Sequence, residues 1–376
     1  MLSGLNEDLA FPMLLPRPKI GSGPFYSGVR GRTVLITGAG GSIGSELALQ
    51  VAASRPKKII LADSSEGNLY EIDSTIGQGA PDLDRVSAVL DVRDMPAVRR
   101  LFSSENPDIV FHAAALKHVP LLETPHNTME AVLTNLGGTI NITDTSLIYG
   151  AEMVFISTDK AVSPSSIMGT TKRLAELYVH GLASYNNDRR LSQVRFGNVL
   201  GSSGSVVPLF RRQIAQGGPV TVTHPDMTRY MMSIKEAVSL VLNSSEAHDS
   251  DGYGLYILDM GEPVKILDLA EQLIRFAGLQ PHTDIPIEYI GLRPGEKMHE
   301  ELVYPWERLT PTKVARVNMA RPMLPADMFV GRLRRLKARA LERNYTFVRD
   351  EMNEILMHSI ALGEKYIEIT EPSIKI

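Results

Sequence analysis

An apolar strand that runs straight into a glycine loop, and the loop into a helix, constrains this chain more than any other feature. Thr33–Thr37 (TVLIT) is followed at once by Gly38-Ala39-Gly40-Gly41-Ser42-Ile43-Gly44, and Ser42–Ala53 reads as an amphipathic helix. Three glycines alone are a weak signal; between a buried strand and a helix they are a strong one. Gly38 permits the tight turn, Gly41 lets a pyrophosphate approach the backbone, and Gly44 lets the helix pack on the strand. The helix start adds free N–H groups and the positive end of its dipole. The pattern predicts a dinucleotide site with Gly38, Gly41, Ser42, Ile43 and Gly44 as contacts.

The same alternation continues along the chain. Further strands are expected at Lys58–Ala62, Val86–Leu90, Ile109–His112, Met153–Ser157 and Gln193–Phe196, with helices at Met95–Phe102, Glu130–Tyr149 and Thr170–Ser184. Strands that are apolar throughout, each followed by a helix, predict an α/β fold, a doubly wound parallel sheet covered on both faces. A chain of 376 residues exceeds one ordinary domain. Past residue 200 glycine and proline runs (GSSGSVVP, QGGPVTV, GEPVKI, GLRPGEK) mark a smaller lobe. The expected organisation is an N-terminal arm over 1–30, a dinucleotide domain over 31–200 with a return near 254–260, a substrate lobe over 201–320 and a helical segment over 321–376. That last segment is expected to close the substrate lobe or to make an oligomer contact.

Composition removes several function classes. With 39 basic and 43 acidic residues the net charge is −4, so a nucleic-acid partner has no electrostatic support. There is no cysteine, which excludes disulfides, thiol catalysis and thiolate metal sites and fits a cytoplasmic setting. No apolar run reaches the roughly 20 residues of a membrane span, and the first residues do not read as a secretory signal. His112 and His118 lack the spaced carboxylates of a metal site, and none is expected. Phe111, Trp306, Met227, Met231 and Met232 read as core.

Asp63 closes the second strand, about 20 residues beyond the loop, where a carboxylate holds a ribose 2′-hydroxyl and repels a 2′-phosphate. That favours NAD over NADP. Asp63 and Ser64 also suit a turn or helix cap, and both readings stand. Asp91 and Val92 follow the third strand, in place for adenine contacts or as a strand-end turn. Ala113, Ala114 and Ala115 follow the fourth and leave room for the nicotinamide half. This spacing resembles the extended short-chain dehydrogenase/reductases (Rossmann fold), which usually carry a structural asparagine where Asn135 stands.

The fifth strand ends in Thr158-Asp159-Lys160, on the side where such sheets bind ligands. A carboxyl and an amine side by side there suit acid and base roles, or a surface ion pair. Lys172 stands four residues after Met168, and that superfamily carries tyrosine where this chain has Met168. The stretch FISTDKAVSPSSIMGTTKRLAE, with HAAALKHVP, VRFGNVLGSSGSVVPLF, THPDMTRYMM and RPGEKMHEEL around it, resembles the UDP-N-acetylglucosamine 4,6-dehydratases of bacterial glycan biosynthesis. The likeness covers roughly 30–320 and is strongest to the branch with methionine for tyrosine, associated with retention at carbon 5. Many members carry an N-terminal membrane region; the chain resembles their soluble catalytic part.

The resemblance implies a lyase with bound NAD and a UDP-sugar substrate, members commonly pairing as dimers. It implies Lys160 as the base at carbon 5, Asp159 as the acid toward the 6-hydroxyl, Thr158 near the 4-hydroxyl and Lys172 on the nicotinamide ribose, with Met168 unable to take a proton. It implies Lys117 and His118 facing the substrate, Asn198 on the sugar nucleotide, Arg229 and Arg293 on the diphosphate and Glu296 on ribose hydroxyls. An epimerase on the same scaffold needs the tyrosine. A non-catalytic cofactor sensor has no use for the Asp-Lys pair.

Overall fold

The computed structural model describes residues 26–185, 190–247, 253–321 and 324–370. Most of the expected N-terminal arm lies outside the described residues. The first half of the chain alternates β1 (Thr33–Thr37), α1 (Ser42–Ala53), β2 (Lys58–Asp63), α2 (Glu66–Gly79), β3 (Arg85–Val89), α3 (Met95–Glu105) and β4 (Ile109–His112). A short α4 (Val119–Leu122) leads into α5 (Pro125–Ala131), which passes through a π-helical turn (Val132–Gly138) into α6 (Thr139–Tyr149). Then come β5 (Glu152–Ile156), α7 (Ile167–Ala183) and β6 (Leu191–Arg195). Ser65, Asp94 and Ser166 accept a backbone N–H at the starts of α2, α3 and α7, satisfying donors that a helix start leaves open.

The second half holds β7 (Asn198–Leu200), α8 (Val206–Ala215), β8 (Val220–Val222), β9 (Thr228–Arg229), β10 (Met231–Ser233), α9 (Ile234–Ser244) and β11 (Tyr253–Leu258). It continues with β12 (Val264–Lys265), α10 (Ile266–Phe276), β13 (Ile287–Tyr289), β14 (Arg308–Pro311) and β15 (Val317–Arg321), and ends in α11 (Val330–Leu341) and α12 (Tyr345–Thr370). One nine-stranded sheet runs β14-β15-β11-β6-β5-β4-β1-β2-β3. From β11 to β3 all neighbours are parallel. The chain order reverses between β1 and β4, so the strand ends splay apart there and open a crevice.

Three expectations change. The sheet is not wholly parallel, because β15 pairs antiparallel with β11, and β14 with β15. The return to the sheet is wider than 254–260. Ala237, Val238 and Val241 of α9 share a core with β1 and β2, so only the segments around them form the second lobe. That lobe has its own core of Phe210, Val220, Val222, Leu269 and Leu273. The C-terminal helices do not close the second lobe. Leu333, Leu336 and Ala340 of α11 and Met352 and Ile355 of α12 pack with Leu174 and Tyr178 of α7 and Val132 and Leu136 of the π-helical turn. Each leucine, isoleucine, valine or methionine among them, fully buried, stabilises by about 1.5–3 kcal/mol, and α7 is thereby covered on its outer side. No helix among the described residues is long and apolar enough to cross a membrane.

Candidate active site

The crevice at the carboxyl ends of β1, β4, β5 and β6 contains a cleft of about 430 Å³ lined by Gly38, Gly41, Ser42, Ile43, Gly44, Ala113 and Ala115. Gly38 has φ +70°, and a Cβ there would lie 2.7 Å from the Ala114 backbone; a Cβ on Gly44 would meet the Gly38 carbonyl oxygen at 1.9 Å. Only glycine fits either place. No side chain caps α1, which leaves its first-turn N–H groups to a ligand. Such a cradle fits a dinucleotide pyrophosphate. Asp63 holds the loop itself: Gly40 N–H donates to its Oδ2 at 2.8 Å and Ser65 N–H to its Oδ1 at 2.8 Å. Ser64 is exposed beside it. Asp91 is paired with the Arg93 guanidinium, and Val92 is buried under Gly138. Neither Asp91 nor Val92 lines this cleft, and Ala114 turns away from it into the core.

Asn135 sits in the π-helical turn and grips the turn after β4 by both faces of Leu116: Leu116 N–H donates to its Oδ1 at 2.8 Å, and its Nδ2 donates to the Leu116 carbonyl at 3.0 Å. The same Nδ2 reaches Thr171 Oγ1 at 3.0 Å, next to Lys172. Lys172 lies in the cleft lining yet is only 5% exposed. Burial brings its ammonium down to about 7. Its Nζ donates to the Ile156 carbonyl at 2.5 Å and stands 4.0 Å from the centre of the Phe155 ring. Met168, one helical turn earlier, lines the cleft within an apolar patch of Leu122 and Ala131 and offers no proton acceptor.

Thr158 and Lys160 line the same cleft. Thr158 Oγ1 donates to Asp159 Oδ1 at 2.8 Å, and Lys160 Nζ donates to that oxygen at 3.0 Å and to Asn198 Oδ1 at 2.8 Å. Asp159 is fully buried and lines neither cleft. Its Oδ2 has no hydrogen-bond partner among the described residues. The expectation that it meets a leaving hydroxyl directly is therefore revised: it reaches the cleft through the Thr158 hydroxyl and the Lys160 amine, both on its Oδ1.

A second cleft of about 260 Å³ opens toward the smaller lobe, lined by Lys160, Asn198, Arg229, Arg293, Glu296 and Glu300 among others. Lys117, His118, Lys160 and Asn198 line both clefts, so Lys160 marks their junction. Burial holds the Lys117 ammonium below the usual lysine range, and burial followed by the Lys117 charge lowers His118. Arg293 and Glu296 cap one turn, with Arg293 N–H donating to Glu296 Oε2 at 3.3 Å. Arg229 departs from expectation. Its terminal nitrogens donate to the carbonyls of Thr228 (2.7 Å), Lys297 (2.8 Å) and Met298 (3.2 Å). A guanidinium so engaged shapes the cleft wall and is not free for a diphosphate.

Sequence reasoning passed over several groups here. Ser157 lines the first cleft and donates to Glu176 Oε1 at 2.7 Å. Arg195 donates to Glu176 and to Glu307, each at 2.6 Å, all buried. Glu300 stands beside Glu301 in HEEL with no pattern to separate the two; only the fold buries one and exposes the other.

Comparison with known proteins agrees with this geometry. The family model described as "Polysaccharide biosynthesis protein" matches residues 34–322. The probable polysaccharide biosynthesis protein EpsC of Bacillus subtilis is 47% identical over 277 residues, 73% of this chain and 45% of that protein. The chain thus spans under half the length of that relative. An inverting UDP-N-acetylglucosamine 4,6-dehydratase of Campylobacter jejuni is 34% identical over 279 residues, 73% of this chain and 78% of that protein. The X-ray structure of Pen from Bacillus thuringiensis matches with a TM-score of 0.69 and 32% identity, covering 77% of this chain and 88% of that one. The sheet order, the glycine cradle and these matches carry one conclusion: the chain belongs to the polysaccharide biosynthesis protein family.

Proposed function

We propose that this chain is an NAD-dependent 4,6-dehydratase of UDP-N-acetylglucosamine that retains configuration at carbon 5. The observation that carries the reading is Lys160, whose amine stands at the junction of a dinucleotide cleft and a second cleft with Thr158 and Asp159 behind it. The glycine cradle and Lys172 would hold NAD, which would supply reversible hydride chemistry between carbons 4 and 6 of the sugar. Thr158 Oγ1 takes the 4-hydroxyl proton as its own proton passes to Asp159 Oδ1, which supplies the base that Met168 cannot. Lys160 removes the carbon 5 proton, acidified by the ketone at carbon 4, and its amine, in exchange with solvent, later delivers a proton back to that carbon. The proton stored on Asp159 leaves through Thr158 with the 6-hydroxyl, so one water is lost and nothing else. Arg293 supports the reading as a diphosphate contact at the second cleft, since a guanidinium matches phosphate in two-point geometry. Retention rests on Met168 and the branch it resembles. A 4-epimerase would gain nothing from the Asp159-Lys160 pair.

The test is one incubation of the purified protein with UDP-N-acetylglucosamine in D₂O, without added cofactor. Loss of one water, a new methyl group and deuterium at carbon 5 are expected by mass spectrometry and NMR, and the coupling constants at carbon 5 report retention. No turnover even with NAD added overturns the reading.

A further inference from the structure

The scheme above leaves one buried acid of the second cleft without a part. Glu300 is 8% exposed and lines that cleft. Its Oε2 is buried and has no hydrogen-bond donor among the described residues. Its Oε1 stands 3.9 Å from Lys160 Nζ and 3.8 Å from Arg229 Nε, outside hydrogen-bond range. Neither cation is free to close the gap. Lys160 Nζ is turned to Asp159 and Asn198, and the ends of the Arg229 guanidinium are held by the carbonyls of Thr228, Lys297 and Met298. Those same contacts fix the backbone just before Glu300. A buried carboxylate oxygen without a donor is unfavourable, so the protein alone leaves this wall one hydrogen bond short.

We infer that Glu300 accepts a hydrogen bond from the 6-hydroxyl of the sugar; the inference rests on the dehydratase reading. The missing partner is a donor, and a carboxylate repels a diphosphate, so the sugar faces Glu300. Lys160 serves carbon 5, and the hydroxyl on the adjoining carbon is the one that meets the acid next to that lysine. Glu300 is then a specificity residue. A sugar that lacks the 6-hydroxyl leaves the carboxylate unpaired again, and a site built to bond a hydroxyl rejects the analogue without it.

The experiment uses the full chain loaded with NADH, in which carbon 4 cannot be oxidised, and measures affinity by calorimetry for UDP, UDP-N-acetylglucosamine and the 6-deoxy analogue of the latter. The wild-type protein is expected to bind UDP-N-acetylglucosamine at least about tenfold tighter than the 6-deoxy analogue. Glu300→Leu should erase that gap with UDP affinity unchanged, and Glu300→Gln, which keeps one acceptor oxygen, should retain part of it. Equal binding of the two sugars by the wild type overturns the inference even where Glu300→Leu fails to fold. So does a gap that survives in Glu300→Leu, or a loss of UDP affinity equal to the loss for the sugar nucleotide. Failure of the wild type to bind UDP or UDP-N-acetylglucosamine removes the dehydratase reading instead.

Discussion

Burial and polarity meet in opposite ways at Lys172 and at Thr158. Lys172 is an amine sunk in the cleft floor, and burial lowers its ammonium to about 7. An unfolded lysine titrates near 10.4, so between about pH 7 and pH 10 the unfolded chain holds a proton that the folded one has given up. Stability then rises with pH in that window, present in full above the unfolded value and lost as pH falls toward the folded one. Relative to Lys172→Met, the cofactor-free wild type should gain up to about 1.4 kcal/mol per pH unit. Urea titrations of both proteins from pH 7 to 9.5 check this, and a constant difference between them would count against the buried amine. In the proposed reaction Thr158 is a relay rather than a reservoir. Thr158→Val keeps its shape and removes the hydroxyl that connects the cleft with Asp159. Turnover should fall by about 10² to 10⁴ with bound NAD unchanged; a fall of less than tenfold removes the relay from the reaction.

Between elements, charge makes a junction that apolar packing does not. Arg195 of β6 bonds Glu176 of α7 through Nε and Glu307 of the later loop through a terminal nitrogen, each at 2.6 Å. Arg173 adds a second cation, 3.2 Å from Glu176. Arg195→Met would leave two carboxylates buried with too little positive charge, and breaking such a set costs about 3–5 kcal/mol. A denaturation midpoint that corresponds to less than about 1 kcal/mol would show that water or rearrangement replaces the guanidinium. This junction also marks where local sequence stops being informative. β1 and α1 were legible to the residue because strand, glycine loop and helix lie in one short stretch whose chemistry is local. The partners of Arg195 come from α7 and from a loop more than a hundred residues away, and nothing in QVRF separates a core arginine from an exposed one. β14 and β15 escaped for a similar reason: they are short, β14 is largely exposed, and only the antiparallel pairing of β15 to β11 and of β14 to β15 gives them a place. At the site, the Thr158-Asp159-Lys160 triplet at the end of the fifth strand and the glycine cradle were legible as motifs. The burial of Asp159, the engagement of Arg229 and the choice of Glu300 over Glu301 depend on which neighbours the fold brings up, and these were not.

At the scale of the whole molecule the two clefts are one machine part, because they share a wall. The segment from Gly201 to Ser205 leaves β7 and crosses to the glycine loop, where Ser203 N–H donates to Ser42 Oγ at 3.1 Å. Gly204 lies against the His118 ring: its φ is +69°, and a Cβ there would come within 2.2 Å of the ring carbon Cε1. Gly204, Ser205, Lys117 and His118 line both clefts. A ligand in the second cleft thus touches a segment that also bounds the first, and any coupling this produces is reciprocal. UDP at saturation should tighten NAD binding by about 5-fold or more, within the usual coupling range of about 1–3 kcal/mol, and NAD should tighten UDP binding by the same factor. Gly204→Ala should weaken the coupling more than it weakens either ligand alone, because the added methyl pushes His118 off the segment and strains its backbone. Four titrations decide the matter: NAD with and without UDP, and UDP with and without NAD. Two equal factors above about fivefold support a shared wall that closes on both ligands. An NAD affinity that ignores UDP would mean that the segment is rigid, and that the glycine cradle and Lys172 alone set the affinity for NAD.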